Sequence, residues 1–469
     1  MVEENMQPFE EVKEVFDFET GDLIKTKGNV KSKVRLRGMK IDNYMDNVKD
    51  FYDTQPYFYD KSGIFWFWQY DESKWDLVDD IEVMNALDHN LCFFGQTVSS
   101  GVKKNYLEAL KRNGRKRKPK EAPKKWIQFK NMALSLKSGE MYDVTPDYFF
   151  TNPIPYKIGD SDETPVMDKL FEEWVGKSYT KTLYEIIAYC TYTDYPIQLI
   201  FCLCGSGRNG KTCFQRLLNR FLGKENICST ELDVLLNSRF ESFKLYKKLV
   251  CSMGETNFGV LSKTSLLKKL VGGDSIGFEK KNKDPFDDFN YAKVMISSNS
   301  LPSSNDTSEG FYRRWLIIDF PNEFPEGKDI LKTIPDEEYN NLANKVIKIL
   351  PELLKTGQFT NQGEIAERKN KYMMASNPLP LFLEACCDKR EETFISYNEL
   401  YTAYVKYLRC NKKRKVNMKE FRSALEDEGF WIERTTKSVD EQIFKSGNWI
   451  NGLELKYDWN DRIYVNNVK

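Results

Sequence analysis

Residues 197–223 read "IQLIFCLCGSGRNGKTCFQRLLNRFLG". The apolar run through Cys204 has the character of a buried parallel strand. The turn "GSGRNGKT", residues 205–212, is rich in glycine, and "TCFQRLLNRFLG" has helical spacing. Strand, glycine-rich turn and helix in that order are what a phosphate-binding loop requires. Gly205, Gly207 and Gly210 let the backbone fold tightly, so that its N–H groups point at phosphate; Ser206, Arg208 and Asn209 complete the loop. Lys211 is expected to reach the β- and γ-phosphates and Thr212 to set its hydroxyl on Mg2+.

The segments that follow supply the company such a loop keeps. "KKLVCSMGETN" is a second apolar strand, ending at Gly254 and Glu255. A carboxylate there orients the attacking water or helps hold Mg2+, usually beside a second acid. Glu255 has no such neighbour in sequence, so water orientation is its first assignment and metal its second; the plain alternative is a surface Glu. "YAKVMISSNSLP" is a third strand, ending at Asn299, whose amide would hold the water or the γ-phosphate, or merely cap a turn. "GFYRRWLIIDF" is a fourth, headed by Arg313 and Arg314. Read as starting where the earlier strands end, it puts both arginines on a different edge from Lys211. That suits a neighbouring subunit's nucleotide, as an arginine finger does, or an ordinary surface ion pair. Between the second and third strands, "LLKKLVGGDSIGFEKKNKDPFDDFNYAK" reads as a helix stopping at Gly272-Gly273 and a hairpin tipped by Lys280, Lys281 and Lys283. Positive charge on a projecting tip suits a phosphate backbone; the bland reading is a solvated turn.

The rest of the chain bounds these readings. At 469 residues it exceeds one ordinary core, and about three domains are expected. Lys plus Arg and Asp plus Glu both number 70, so nucleic-acid binding must come from local patches rather than a global field. Ten cysteines lie mostly in apolar stretches without a CxxC pair, against a zinc site or disulfide framework. The one histidine, His89, excludes mechanisms that need two. No apolar run is long enough to cross a bilayer, and the acidic N-terminus is unlike a signal peptide. Residues 44–95 are crowded with aromatics, which suggests short strands and turns; the rings either fill a small core or stack on single-stranded bases. "KRNGRKRKPKEAPKK", residues 111–125, is expected to be an exposed linker that is solvated or touches phosphates. No Asn-Lys-x-Asp guanine-reading motif exists, so a GTPase is disfavoured. A small-molecule kinase is disfavoured too, since no lid arginine cluster or acceptor pocket is evident in the sequence.

Together these motifs resemble superfamily 3 helicases, in particular the helicase part of the primase-helicases of phages, plasmids, poxviruses and other large DNA viruses. "GSGRNGKT" has the Asn before Gly-Lys typical of that group; "LLKKLVGGDSIGFEKKNKDPF", "ISSNSLP" and "GFYRRWLIIDFPNEF" are similar to its further signatures. "FKNMALSLKSGEMYDVTPDYFFTNPIPYKI" is similar to the domain preceding the motor, with Asn131-Met132 where Asn-Gly is usual. The resemblance covers residues 126–325 well and the C-terminus loosely. It implies an α/β fold with an AAA+-type P-loop ATPase core at 196–325, preceded by a collar-like domain (126–195); composition and pattern add an accessory mixed α/β region with a basic linker (1–125), a helical connector (326–375) and a winged-helix-like domain (376–469). In that last domain the basic turn Lys412, Lys413, Arg414 and Lys415 lies between helices and a hairpin follows, which suits duplex DNA or a docked protein.

What the resemblance implies for function is an ATP-driven replicative DNA helicase. It would work with Mg2+ as a homo-hexameric ring that hydrolyses ATP between subunits and moves 3′ to 5′ on single-stranded DNA. Partners would be single-stranded and forked DNA, further copies of the chain and a separate primase or polymerase, with no membrane, in the cytoplasm or at a virus or mobile-element replication site. Residues 1–125 lack the carboxylate cluster that priming needs, so this chain is not expected to prime; a degenerate primase fold is the alternative there. The competing reading of the whole is a replication-initiator or scaffold ATPase that binds DNA without processive unwinding.

Overall fold

Five short parallel strands, in the order Ile227–Ser229, Val250–Met253, Lys293–Ser298, Ile200–Cys204 and Trp315–Asp319, make the central sheet. Every residue of Ile200–Cys204 and Lys293–Ser298 is buried, because a parallel sheet covered on both faces needs continuous apolar runs rather than alternation. Lys293 is the exception in kind. Its ammonium is wholly enclosed, donating to the carbonyls of Tyr192, Asp194 and Tyr291 beneath the rings of Tyr189 and Tyr195, and burial pushes its pKa down to about 7.

The computed structural model describes residues 12–16, 23–25, 44–93, 99–130, 132–254, 260–261, 263–325, 329–411, 413–440 and 443–462. Trp315 lies opposite Ile200 and Asp319 opposite Cys204. The last strand therefore starts at the edge where the others start, not where they end, since parallel neighbours share direction. Arg313 and Arg314 still sit across the sheet from the glycine-rich loop, because that loop follows the C-terminal end of Ile200–Cys204.

Residues 44–114 are more helical than the aromatic pattern suggests. Helices Tyr44–Thr54, Asp80–Phe93 and Ser100–Gly114 accompany a three-stranded antiparallel sheet of Tyr57–Tyr59, Phe65–Gln69 and Lys74–Val78. Alternation sends Phe65 and Phe67 to one face, beneath the helices with Phe51 and Tyr57; Trp66 and Trp68 go to the other, with Phe58 and Trp75. All these rings are buried, so packing rather than base stacking consumes them. His89 lies in the helix Asp80–Phe93, its side chain outside the described residues.

The basic stretch 111–125 is not a free linker. Lys111–Gly114 close a helix whose Asn113 is buried and donates to the Tyr57 hydroxyl at 3.0 Å, and Lys120–Glu121 pair in parallel with Tyr148–Phe149. Nor does a domain boundary fall cleanly at 125. Strands Leu23–Lys25 and Val12–Phe16 extend the antiparallel sheet of Glu140–Asp143, Met132–Ser135 and Trp126–Phe129.

Helices Pro165–Val175 and Lys177–Cys190 part at Gly176, whose φ of +81° a side chain would resist. The long helix Asp336–Thr356 packs on them, and its Glu338 carboxylate accepts from the N–H groups of Val166 and Met167 at 2.9 and 3.1 Å, capping the first helix. The C-terminal unit has a core of its own and runs Leu379–Cys386 (helix), Cys387–Ser396 (strand), Tyr397–Cys410 and Met418–Asp427 (helices), then Ile432–Asp440 and Ile443–Leu455 (strands). Its antiparallel sheet places Ile443–Leu455 in the middle.

Candidate nucleotide and nucleic-acid sites

The glycine-rich loop is built so that few other sequences fit it. Gly207, Arg208 and Gly210 all have positive φ, a backbone conformation from which N–H nests for anions are built. A Cβ on Gly210 would lie 2.6 Å from the Trp174 ring, and one on Gly205 1.9 Å from the Asn209 amide. Asn209 is buried and donates to the Phe320 carbonyl at 3.2 Å, while the Phe324 N–H donates to the Arg208 carbonyl at 2.8 Å; both tie the loop to the chain leaving the last strand. Ser206 donates to Glu323 at 2.8 Å.

Lys211 opens the helix Lys211–Leu222 and is 5% exposed. Its Nζ donates to the Gly205 carbonyl (2.5 Å), the Asn209 Oδ1 (3.1 Å) and the Asn299 Oδ1 (3.3 Å). Lysine and asparagine are thus brought together from positions 88 residues apart, because Lys293–Ser298 and Ile200–Cys204 are sheet neighbours. Thr212 is exposed one residue further on. Glu255 lies outside the described residues; the strand Val250–Met253 that leads to it is beside Lys293–Ser298.

The two arginines differ. Arg314 is 9% exposed; it donates to the Gly310 carbonyl and, at 3.3 Å, to the Gln198 Oε1, and burial, aided by the charge of Arg313, holds its pKa below the usual guanidinium value. Arg313 is exposed and donates to the same Gln198 oxygen at 3.0 Å. Gln198 in turn donates to the Gly272 carbonyl at 2.8 Å. Sequence reading missed this glutamine, which no motif marks. The strand between this edge and the loop is five residues long, roughly 15 Å at about 3.3 Å per residue, so neither arginine reaches the loop of its own chain.

Asp306, in the segment joining Asn299 to the arginines, is a second unforeseen anchor. It accepts from Thr264 at 2.7 Å and pairs with Lys268 at 2.5 Å, both on the helix Thr264–Leu270 that precedes the lysine hairpin. Those donors, with Ser308, hold its carboxyl well below the ordinary range against the opposing effect of burial. A depressed carboxyl stabilises the fold above its unfolded pKa of about 4 and loses that contribution as pH falls further. Asp306→Ala is expected to cost roughly 1–3 kcal/mol in urea denaturation at pH 7, with the difference from wild type shrinking below pH ~4.

The hairpin consists of Ser275–Phe278 and Phe286–Phe289, antiparallel, with Asn282 in the left-handed region at its tip (φ +64°). Lys281 is exposed there and Lys283 half-buried, while Lys280 lies over the Phe243 ring. In the C-terminal unit Lys413 faces the central sheet, 3.9 Å from the Asp319 carboxylate, rather than open solvent. Arg414 and Lys415 are exposed, and Lys412 lies outside the described residues. Among the described residues no cluster of three or more His, Cys, Asp or Glu stands ready to hold a metal, and no helix is long and apolar enough to cross a membrane.

Residues 203–314, which run from the loop strand to the arginine pair, match a family of unknown function, DUF5906. An alignment 226 positions long, covering 45% of the chain, is 24% identical to a "Putative helicase" of Acanthamoeba polyphaga mimivirus and spans 23% of that protein. The chain therefore covers about a quarter of the length of this relative. Among solved structures, an apo form of the C-terminal region of NrS-1 is 14% identical, with a TM-score of 0.49 over 88% of this chain and 99% of that one. A second apo form of that region, also 14% identical, gives 0.46 over 81% and 84%.

Proposed function

We propose that the chain is the motor of a replicative DNA helicase that binds ATP at the Gly205–Thr212 loop and hydrolyses it between subunits of a ring, a homo-hexamer on the family resemblance. The observation that carries this is the meeting of Lys211 with Asn299 at the C-terminal ends of two adjacent parallel strands. A buried ammonium within a nest of N–H groups neutralises charge on a transferring phosphoryl group, and an amide beside it holds a water or a γ-phosphate oxygen. The weak similarity to a viral protein named as a helicase supports the same reading. So does the strand order of the central sheet, in which one strand separates the loop strand from Val250–Met253. That arrangement suits an AAA+-type core, and the helix–strand–helix–helix–hairpin order of residues 379–455 suits a winged helix. Mg2+ fits the loop through the exposed Thr212 hydroxyl, since this ion keeps mostly waters and substrate phosphates as ligands and needs few protein oxygens. Movement 3′ to 5′ is carried from the resemblance.

Two substitutions separate binding from turnover. Asn299→Ala removes an amide that acts on the reacting phosphoryl group, and is expected to lower kcat by about a hundredfold with little change in nucleotide affinity. Glu255→Gln should likewise keep affinity and nearly stop hydrolysis, because an amide cannot take a proton from water; fluorescent-nucleotide titration beside a phosphate-release assay reads both. The reading as a whole is tested by steady-state ATP turnover with and without unstructured single-stranded DNA. A motor is stimulated by the strand. Binding of DNA without stimulation favours an initiator or scaffold ATPase instead.

A further inference from the structure

The lysine hairpin does not project alone. Its tip faces the turn Lys61–Gly63 of the aromatic N-terminal unit across a cleft of about 650 Å3, within the ~300–1,000 Å3 span of ligand clefts. The two walls come close at the base, where a Cβ on Gly63 would lie 3.9 Å from the Lys283 Cδ. Lys61 and Arg115 line one wall; Lys281, Lys283 and Arg239 line the other. Against these five cations stand two carboxylates, Glu279 and Asp284, and Glu279 is occupied by Arg239 at 3.5 Å. Lys61, Arg115, Lys281 and Lys283 have no carboxylate partner among the described residues. Each wall also carries a ring: Arg115 lies 4.9 Å over Tyr59, and Arg239 4.7 Å over Phe240, which is itself 40% exposed. Unpaired cations on opposed walls suit a polyanion threaded between them, and an exposed ring suits a base turned out of a stack. A duplex offers phosphates but no free base face.

We propose that the N-terminal unit is the second jaw of a clamp on single-stranded DNA, with Lys61 and Arg115 holding the backbone opposite Lys281 and Lys283 and Phe240 stacking a base. The clamp rests on the helicase reading and goes beyond it, because residues before 126 become part of the DNA path. Enclosure from two sides keeps the strand engaged when the hairpin alone would release it.

The test measures anisotropy of a labelled oligothymidylate on the full chain across a salt series. Lys61→Ala with Arg115→Ala, both exposed positions, should shrink the salt slope by about 1.4, at ~0.7 per lost phosphate contact on a single strand, and leave DNA-free ATP turnover unchanged. The pair Lys281→Ala and Lys283→Ala should shrink the slope by a similar amount. Phe240→Ala should weaken oligothymidylate binding about fivefold or more and leave an abasic strand unaffected. An unchanged slope for the Lys61 and Arg115 variant, with the hairpin variant reduced, overturns the clamp and leaves the helicase reading standing. Equal losses on a duplex of the same length overturn the single-strand assignment. A wild-type chain without DNA affinity at low salt removes the helicase reading and the clamp with it.

Discussion

Lys211→Ala should reduce ATP turnover at least a hundredfold to a thousandfold, the cost of removing a donor aimed at charge that develops in the transition state. The structure also sets what happens to the fold. The Nζ donates to the Gly205 carbonyl and to both asparagine oxygens, in a place only 5% exposed. Truncation leaves these acceptors short of a donor, so about 1–3 kcal/mol of stability goes with the activity. Circular dichroism should therefore show a native spectrum with a lower Tm, beside a phosphate-release rate near background. A native spectrum with wild-type turnover would move the hydrolytic site elsewhere in the molecule.

Arg313→Ala is expected to silence turnover about a thousandfold, as the loss of an arginine finger does, with little change in Tm. Arg314→Ala should instead destabilise the chain. Arg314 is buried and bonded to Gly310 and Gln198, whereas Arg313 is exposed and shares only the Gln198 oxygen through its side chain. On this geometry Arg313 reaches outward and Arg314 holds the edge together. The strand between them and the loop separates the arginines from Lys211 of the same chain, so on the proposed ring reading the finger serves a neighbour's nucleotide. Specific activity should rise steeply with protein concentration as subunits assemble. Mixing Arg313→Ala subunits with Lys211→Ala subunits should restore part of the turnover, since each supplies at a shared interface what the other lacks. Full activity of a dilute monomer, or a mixture without any rescue, would place the complete site within one chain.

The loop was readable from sequence because its chemistry is local: glycines at positions of positive φ, a lysine at the helix start and an apolar strand before them lie within two dozen residues. The placement of Asn299 is legible for a similar reason, because it follows directly on a buried apolar run. Other features depend on partners distant in the chain. Nothing in Val12–Phe16 announces that it pairs with Glu140–Asp143, and strands this short are ambiguous by pattern alone. The basic run at 111–125 reads as a linker because charge dominates its composition, while burial of Asn113 against Tyr57 decides its helix. Gln198 and Asp306 carry no motif; they matter because the fold brings the arginine edge, the hairpin helix and the loop strand to them. The aromatics of residues 51–75 showed their number but not their destination, which two-faced packing of a small sheet supplies.

The decisive measurement is displacement of a labelled strand from a forked duplex by the full chain, with ATP and with a non-hydrolysable analogue. A helicase motor releases the strand only with hydrolysable ATP, and Lys211→Ala releases none. Tight binding of the fork with no strand released under any nucleotide would contradict a motor and leave a nucleotide-gated DNA-binding scaffold.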